Sequence, residues 1–196
     1  MELYAIGDSF VFGSGVPADK RWTSLAEEQS GWKIHNLGVG GDTLPGVLTR
    51  VNVELPRLIA ENGSSPFETC VLVMAGTNDV FCDCPAETLR PTAAAVLQQL
   101  AAKGLCPIAC AAPLPTGEKL PGSWELFADP VACIPKLNDF GDWLSRYCRA
   151  FGFPFLDLRA LYRERAGLCL DGIHPNAAGH EIIADRLTAL LQTLAG

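Results

Sequence analysis

The stretch that decides the fold is Thr-Cys-Val-Leu-Val-Met-Ala-Gly-Thr-Asn-Asp, residues 69–79, in which a mostly apolar run ends in a polar turn. A short apolar run bounded by glycine predicts a strand that is buried on both faces, as in a parallel sheet. Similar runs occur on both sides of it along the chain, at residues 3–6, 33–37, 107–112 and 153–158. The sequence therefore predicts a parallel sheet of five strands.

Segments with helical spacing separate these strands. They lie at residues 22–29, 46–61, 86–103, 136–150 and 177–194. Alternation of strands and helices implies right-handed crossovers and a sheet covered by helices on both faces. The predicted fold is α/β, a three-layer α/β/α sandwich, built as one domain over residues 1–196. We expect Pro56 and Pro91 to kink or shorten two helices, and residues 113–135 to form a long loop.

The composition is that of a globular protein, with 48% hydrophobic and 19% charged residues. A formal net charge of −7 disfavours tight binding to nucleic acid or anionic lipid, which reward clustered Lys and Arg. We expect no membrane insertion and, because the first residues do not resemble a signal peptide, a cytoplasmic location. In that compartment the eight cysteines are expected to be free, mostly buried thiols, since their spacings do not fit a zinc site.

Polar turns follow three of the predicted strands, at the edge of the sheet where ligands bind in such folds. Gly7-Asp8-Ser9 places a hydroxyl after the first strand, where a serine can be a nucleophile or a helix N-cap. The turn at residues 38–43 can offer backbone N–H groups to an anion or be a flexible turn, and it lacks the third glycine of a dinucleotide fingerprint. In residues 76–79, Asn78 can donate from its side chain or form an Asx-turn.

The fourth segment is Asp171-Gly172-Ile173-His174-Pro175, directly before the last predicted helix, for which Asn176 is the expected N-cap. An Asp three residues before a His can orient its imidazole and leave Nε2 free to accept a proton from a serine, although a structural turn is equally compatible. His35 and His180 are expected to be structural or solvated. A zinc site from Asp171, His174 and His180 lacks a further ligand.

These four segments, in this order, resemble the GDSL, or SGNH, hydrolase family, whose second name gives its four active-site residue types, Ser, Gly, Asn and His. The blocks are Gly7-Asp8-Ser9, Gly41 before Asp42-Thr43, residues 76–79 and residues 171–175. Phe10 stands where the family name has Leu, a position of apolar packing. The resemblance implies a flavodoxin-like sandwich with five parallel strands, in agreement with the strands and helices predicted above.

Carried over by position, the resemblance implies that Ser9 attacks an ester carbonyl, that His174 takes its proton and that Asp171 orients His174. The backbone N–H groups of Ser9 and Gly41 and the side chain of Asn78 would form the oxyanion hole. No metal or organic cofactor is implied, and the expected partner is a small-molecule ester. The function expected is hydrolysis of a small acyl ester, with a thioesterase, a lysophospholipase or a catalytically silent binding module as alternatives.

The residues that bind substrate are harder to identify from sequence. An acyl chain could be covered by apolar residues of the predicted long loop, among them Leu114, Trp124 and Phe127, and Trp22 could flank the nucleophile. These four side chains could equally belong to the core or to a lid.

Overall fold

The structure, a computed structural model, describes residues 1–116, 122–126 and 128–195. Its centre is a five-stranded parallel sheet in the order β2-β1-β3-β4-β5. The strands are β1 (Glu2–Gly7), β2 (Lys33–Gly38), β3 (Thr69–Met74), β4 (Cys106–Ala111) and β5 (Phe155–Asp157). This order is that of flavodoxin-like sheets, with the topological switch between β1 and β3. The predicted fold class and strand count are confirmed.

Helices connect the strands. They are α1 (Ser9–Phe12), α2 (Trp22–Ser30), α3 (Leu44–Asn62), α4 (Thr77–Phe81), α5 (Ala86–Ala102), α6 (Pro130–Phe151), α7 (Leu161–Glu164) and α8 (Ala177–Ala195). The chain moves in one direction across the sheet through α3, α5 and α6, and in the other through α2. Because crossovers are right-handed, one face of the sheet is covered by α3, α5 and α6. The other face is covered by α2, which packs against α8.

The main difference from the predicted elements is at the start of α6. Residues 130–135, predicted as loop, are helical, because Asp129 accepts a hydrogen bond from the N–H of Val131 and Pro130 occupies the first helical turn. Pro56 and Pro91 lie inside α3 and α5, which both continue past them and are not shortened. The short helices α1, α4 and α7 were not predicted, since four or five residues carry too little periodicity.

Within the described residues, no helix combines the length and apolar character needed to cross a bilayer. All eight cysteines are free, and Cys70, Cys110, Cys133 and Cys148 are buried. The formation of one domain by residues 1–196 remains a prediction.

His180 joins α8 to α2. Its Nδ1 accepts a hydrogen bond of 3.1 Å from the backbone N–H of Trp22, at the start of α2. The side chain is fully buried and its Nε2 has no hydrogen-bond partner among the described residues. Burial, with smaller contributions from the charges of Arg21 and His174, lowers the pKa of His180 from 6.5 to about 4. The neutral ring is therefore the form that fits between these helices.

We expect His180 to make stability depend on pH. Because its folded-state pKa lies below its ordinary value, the unfolded chain binds more protons between about pH 4 and pH 6.5. The stabilisation is complete above pH 6.5 and decreases as the pH falls toward 4, by about 3 kcal/mol. Urea unfolding of the wild type and of His180→Gln across this range measures the effect. A difference between the two proteins that does not change with pH would contradict it.

Candidate active site

Ser9, His174 and Asp171 lie in one hydrogen-bonded row. Ser9 opens α1, directly after β1, and its Oγ is 2.8 Å from Nε2 of His174. On the other side of the ring, Nδ1 of His174 is 2.8 Å from Oδ2 of Asp171. The N-cap of α1 is Asp8, whose side chain accepts from the N–H of Phe10, so Ser9 is not the cap and its hydroxyl is free to contact His174.

The loop before α8 holds His174 through its backbone. Asp171 Oδ1 accepts the N–H groups of Ile173, at 3.1 Å, and His174, at 2.8 Å. Tyr162 donates from its hydroxyl to the carbonyl of Ile173 at 2.6 Å. Asn176 accepts from the N–H of Gly179, which confirms it as the N-cap of α8. These bonds tie the imidazole to both the loop and the helix.

The negative charge of Asp171 selects the tautomer of His174. Burial raises the pKa of the Asp171 carboxyl, but hydrogen bonds from the side chain and backbone of His174 outweigh it and hold the pKa below its ordinary value. The carboxylate is therefore charged at neutral pH and accepts from Nδ1. The tautomer with its hydrogen on Nδ1 leaves the lone pair of Nε2 directed at Ser9.

The predicted oxyanion donors leave strand ends that are level with one another. Gly7 of β1 is in register with Gly38 of β2 and with Met74 of β3. Ser9, Gly41 and Asn78 follow these positions by two, three and four residues, respectively. Gly41 has a φ of +78°, in the left-handed region that glycine favours. The residues predicted as donors therefore follow strand ends that lie at one level on three adjacent strands.

Asn78 lies in the short helix α4 and does not form the alternative Asx-turn. Its side chain is buried, and its Nδ2 donates to the carbonyl of Asp42 at 2.8 Å. An amide nitrogen carries two hydrogens, so one remains for another acceptor. The bond fixes the amide relative to the turn that contains Gly41.

Two residues to which the sequence interpretation gave no role fix this turn. Both carboxylate oxygens of Asp79 accept from the N–H of Leu44, at 3.2 and 3.0 Å, at the start of α3. Arg50 of α3 donates to Asp42 at 2.9 Å and to the carbonyl of Leu37 at 2.6 Å. The contact between Asp79 and Leu44 joins residues far apart in sequence, so no local pattern could have indicated it. Arg50 follows Asp42 by only eight residues, and this short separation of opposite charges is the one signal that the sequence offered.

The predicted substrate-binding residues are dispersed. Trp22 is fully buried and donates from its indole N–H to the carbonyl of Phe10 at 2.8 Å. The expectation that it contacts substrate is therefore corrected. Trp22 packs behind α1, where its ring is buried and its N–H has a hydrogen-bond acceptor. Leu114 is buried, Trp124 is half-buried against the ring of Phe81, and Phe127 lies outside the described residues.

Among the described residues, no group of three His, Cys, Asp or Glu side chains could hold a metal ion. The zinc arrangement considered from the sequence, Asp171 with His174 and His180, is not found as such a group in the part of the chain that the structure describes. The contacts of Ser9, His174 and Asp171 with one another suit proton transfer between a hydroxyl and an imidazole.

The close approach of α1 to β2 depends on Gly38. A Cβ added there would lie 2.0 Å from the backbone nitrogen of Phe12, whereas one added at Gly40 would meet nothing within 4 Å. We expect Gly38→Ala to lower the free energy of unfolding by about 3 kcal/mol or more, since backbone must move. The matched Gly40→Ala should change it by less than about 0.5 kcal/mol. Denaturant unfolding measures both, and equal effects would contradict this account.

Comparison with known proteins gives consistent similarities. The model of a family described as GDSL-like lipase/acylhydrolase matches residues 5–182. The chain is 28% identical over 201 residues to the Escherichia coli (strain K12) protein named thioesterase 1/protease 1/lysophospholipase L1, an alignment that covers 98% of this chain and 84% of that protein.

Solved structures share the fold. A member of the lipolytic protein G-D-S-L family from Veillonella parvula superposes with a TM-score of 0.77 at 18% identity, covering 98% of each chain. The native aryl esterase of M. smegmatis superposes with a TM-score of 0.75 at 18% identity, covering 99% of this chain and all of that one. At these identities the likeness concerns the fold.

Proposed function

We propose that this chain, which belongs to the GDSL-like lipase/acylhydrolase family and is a hydrolase, acts on small acyl esters through Ser9, His174 and Asp171. Short-chain carboxylic esters and O-acetyl groups are the substrates we favour. The observation that carries the proposal is the hydrogen-bonded row itself, with 2.8 Å between Ser9 Oγ and His174 Nε2 and 2.8 Å between His174 Nδ1 and Asp171. A nucleophile, a base and a group that orients the base are what acyl transfer requires.

In the first half of the proposed reaction, Ser9 forms an acyl-enzyme. Its Oγ attacks the ester carbonyl carbon while Nε2 of His174 takes the hydroxyl proton. The carbonyl oxygen becomes an oxyanion, which would accept from the N–H groups of Ser9 and Gly41 and from Nδ2 of Asn78. When the carbon–oxygen bond to the alcohol breaks, His174 returns the proton to the departing alkoxide, and the acyl group remains on Ser9.

The second half repeats these steps with water. His174 removes a proton from a water molecule, whose oxygen attacks the acyl carbon and forms a second oxyanion in the same place. Collapse of that intermediate breaks the bond to Ser9 Oγ, which regains a proton from His174, and the carboxylic acid leaves. In both halves the Asp171 carboxylate stabilises the transient imidazolium and keeps its ring in position.

Replacement of the nucleophile is the first test. Ser9→Ala should abolish hydrolysis of p-nitrophenyl acetate and butyrate, because it removes the hydroxyl that the proposed mechanism uses to form the acyl-enzyme. Initial rates of purified protein measure the change. Ser24→Ala, at an exposed serine of α2, is the matched control and should retain the wild-type rate. Undiminished hydrolysis by Ser9→Ala would refute the assignment.

The role of Asn78 is tested separately. Asn78→Ala should lower kcat by about 10²- to 10³-fold with a smaller effect on KM, because the donor matters most when the oxyanion forms. Asn52→Ala, at an exposed amide of α3, should leave kcat unchanged. An Asn78→Ala enzyme that is folded by circular dichroism and keeps wild-type kcat would exclude this donor.

Thioester or lysophospholipid hydrolysis is the second candidate function. It is favoured by the 28% identity over 98% of this chain to the protein named thioesterase 1/protease 1/lysophospholipase L1. The chemistry at Ser9 would be the same, so only the leaving group differs. Values of kcat/KM for acyl esters, acyl thioesters and lysophospholipids of equal acyl length decide between the two. If none of these substrates is hydrolysed, a binding module without activity is the remaining alternative. The cytoplasmic location stays a prediction.

A further inference from the structure

Asp8, the residue before the nucleophile, is a buried carboxyl group with half of its hydrogen-bonding capacity unused. Its side chain is completely inaccessible to solvent. Oδ1 accepts from the N–H of Phe10 at 2.9 Å, whereas Oδ2 has no hydrogen-bond partner among the described residues. A charged carboxylate in such a place would leave one oxygen neither solvated nor paired, which is costly.

The surroundings of Asp8 add to this cost. In the part of the chain that the structure describes, the ionisable groups that interact with it are the carboxyl groups of Asp42, in the turn after β2, and Asp79, in α4, and the thiol of Cys110 in β4. Burial raises the pKa of Cys110 far above its ordinary value, so that thiol is neutral. Burial, with the charges of Asp42 and Asp79, raises the pKa of Asp8 from 3.8 to about 7.

These three carboxyl groups lie next in the chain to the residues proposed to donate to the oxyanion. Each residue proposed to donate to the oxyanion is the chain neighbour of one of them: Ser9 follows Asp8, Gly41 precedes Asp42, and Asn78 precedes Asp79. Negative charge here opposes the negative charge that develops on the substrate oxygen. A working oxyanion site at this place requires that each carboxyl group be neutralised or compensated.

Two of the three are compensated by groups on α3. Asp42 is paired with the Arg50 guanidinium at 2.9 Å. Asp79 accepts from the N–H of Leu44 with both oxygens, at the N-terminus of α3, where the helix dipole favours negative charge. Burial outweighs this bond and keeps the pKa of the Asp79 carboxyl above its ordinary value, so its charge is compensated only in part. Asp8 has neither a cation nor a second donor among the described residues. For Asp8, the remaining means of neutralisation is a proton.

We propose that Asp8 carries a proton on Oδ2 in the active enzyme, and that the loss of this proton sets the alkaline limit of ester hydrolysis. The inference rests on the proposed function, since it concerns the oxyanion formed there. Asp8 does not touch the reacting atoms. It is a positioning residue, which acts through its chain neighbour Ser9 and through the effect of its own charge on the oxyanion. The proposal concerns the alkaline limb of the pH profile alone.

The test compares the wild type with Asp8→Asn, which keeps an oxygen to accept from Phe10 and cannot ionise. Values of kcat/KM for p-nitrophenyl acetate are measured from about pH 5 to about pH 10. We expect a bell-shaped profile for the wild type and a profile without its alkaline limb for Asp8→Asn, so that their ratio changes about tenfold per pH unit above the midpoint. Asp185→Asn, at an exposed carboxylate of α8, should keep the wild-type profile.

A second measurement does not depend on activity. Because the folded-state pKa of Asp8 lies above its ordinary value, the folded protein retains a proton that the unfolded chain has released between pH 3.8 and about 7. The stabilisation from that proton is complete below this window and is lost as the pH rises through it. The urea midpoint of the wild type should therefore fall relative to that of Asp8→Asn across the window.

The outcomes separate the two proposals. An alkaline limb that persists in Asp8→Asn, or urea midpoints that vary with pH in parallel for the two proteins, would overturn the role of Asp8 and leave the esterase assignment intact. A wild type that hydrolyses no ester at any pH would instead overturn the proposed function, while a diverging urea midpoint would still support a proton on Asp8.

Discussion

The site depends on the register of three neighbouring strands. Gly7, Gly38 and Met74 are aligned across β2, β1 and β3, so the chain leaves the sheet at one level in three adjacent places. Parallel pairing imposes this alignment through evenly spaced backbone hydrogen bonds, and a slip of one residue would turn every side chain to the opposite face. Ser9 and the residues proposed as oxyanion donors therefore depend first on backbone geometry, before any side chain contributes.

Side chains then hold in place the turns and loops that follow the strand ends. Asp79 and Arg50 hold the turn after β2 against α4 and α3, and Asn78 adds a third attachment. On the opposite side, Tyr162 and Asn176 restrain the loop that carries His174. Catalytic groups that are held in place before substrate arrives need less reorganisation in the transition state. The same attachments bring carboxylates close to the residues proposed as oxyanion donors, and each of these charges then needs its own compensation.

Local patterns in the sequence were sufficient for the sheet, for four long helices to within a few residues, and for the segments that meet at its edge. The run at residues 69–75 predicts β3 because its apolar side chains need burial on both faces, and Asn176 predicts the start of α8 because its cap is local. Asp129-Pro130 carried an equally local signal for α6 that periodicity alone missed.

The remaining features were out of reach because they depend on residues distant in sequence. Whether Trp22 faces substrate or the core is decided by the carbonyl of Phe10 and by His180, which the chain order does not bring together. The neutralisation of Asp8 depends likewise on carboxylates from two other turns. Residue type and spacing identify groups capable of chemistry, whereas their burial and charge emerge only from the packed structure.

The hydrogen bond between Ser9 and His174 joins residues 165 positions apart. A ribosome that has made β1 and Ser9 must still make the other four strands of the sheet before it reaches His174, the proposed base. An incomplete or unfolded chain therefore has an exposed serine of ordinary reactivity and no means to activate it. In the proposed reaction, the fold thus links the activation of Ser9 to the docking of the loop that carries His174.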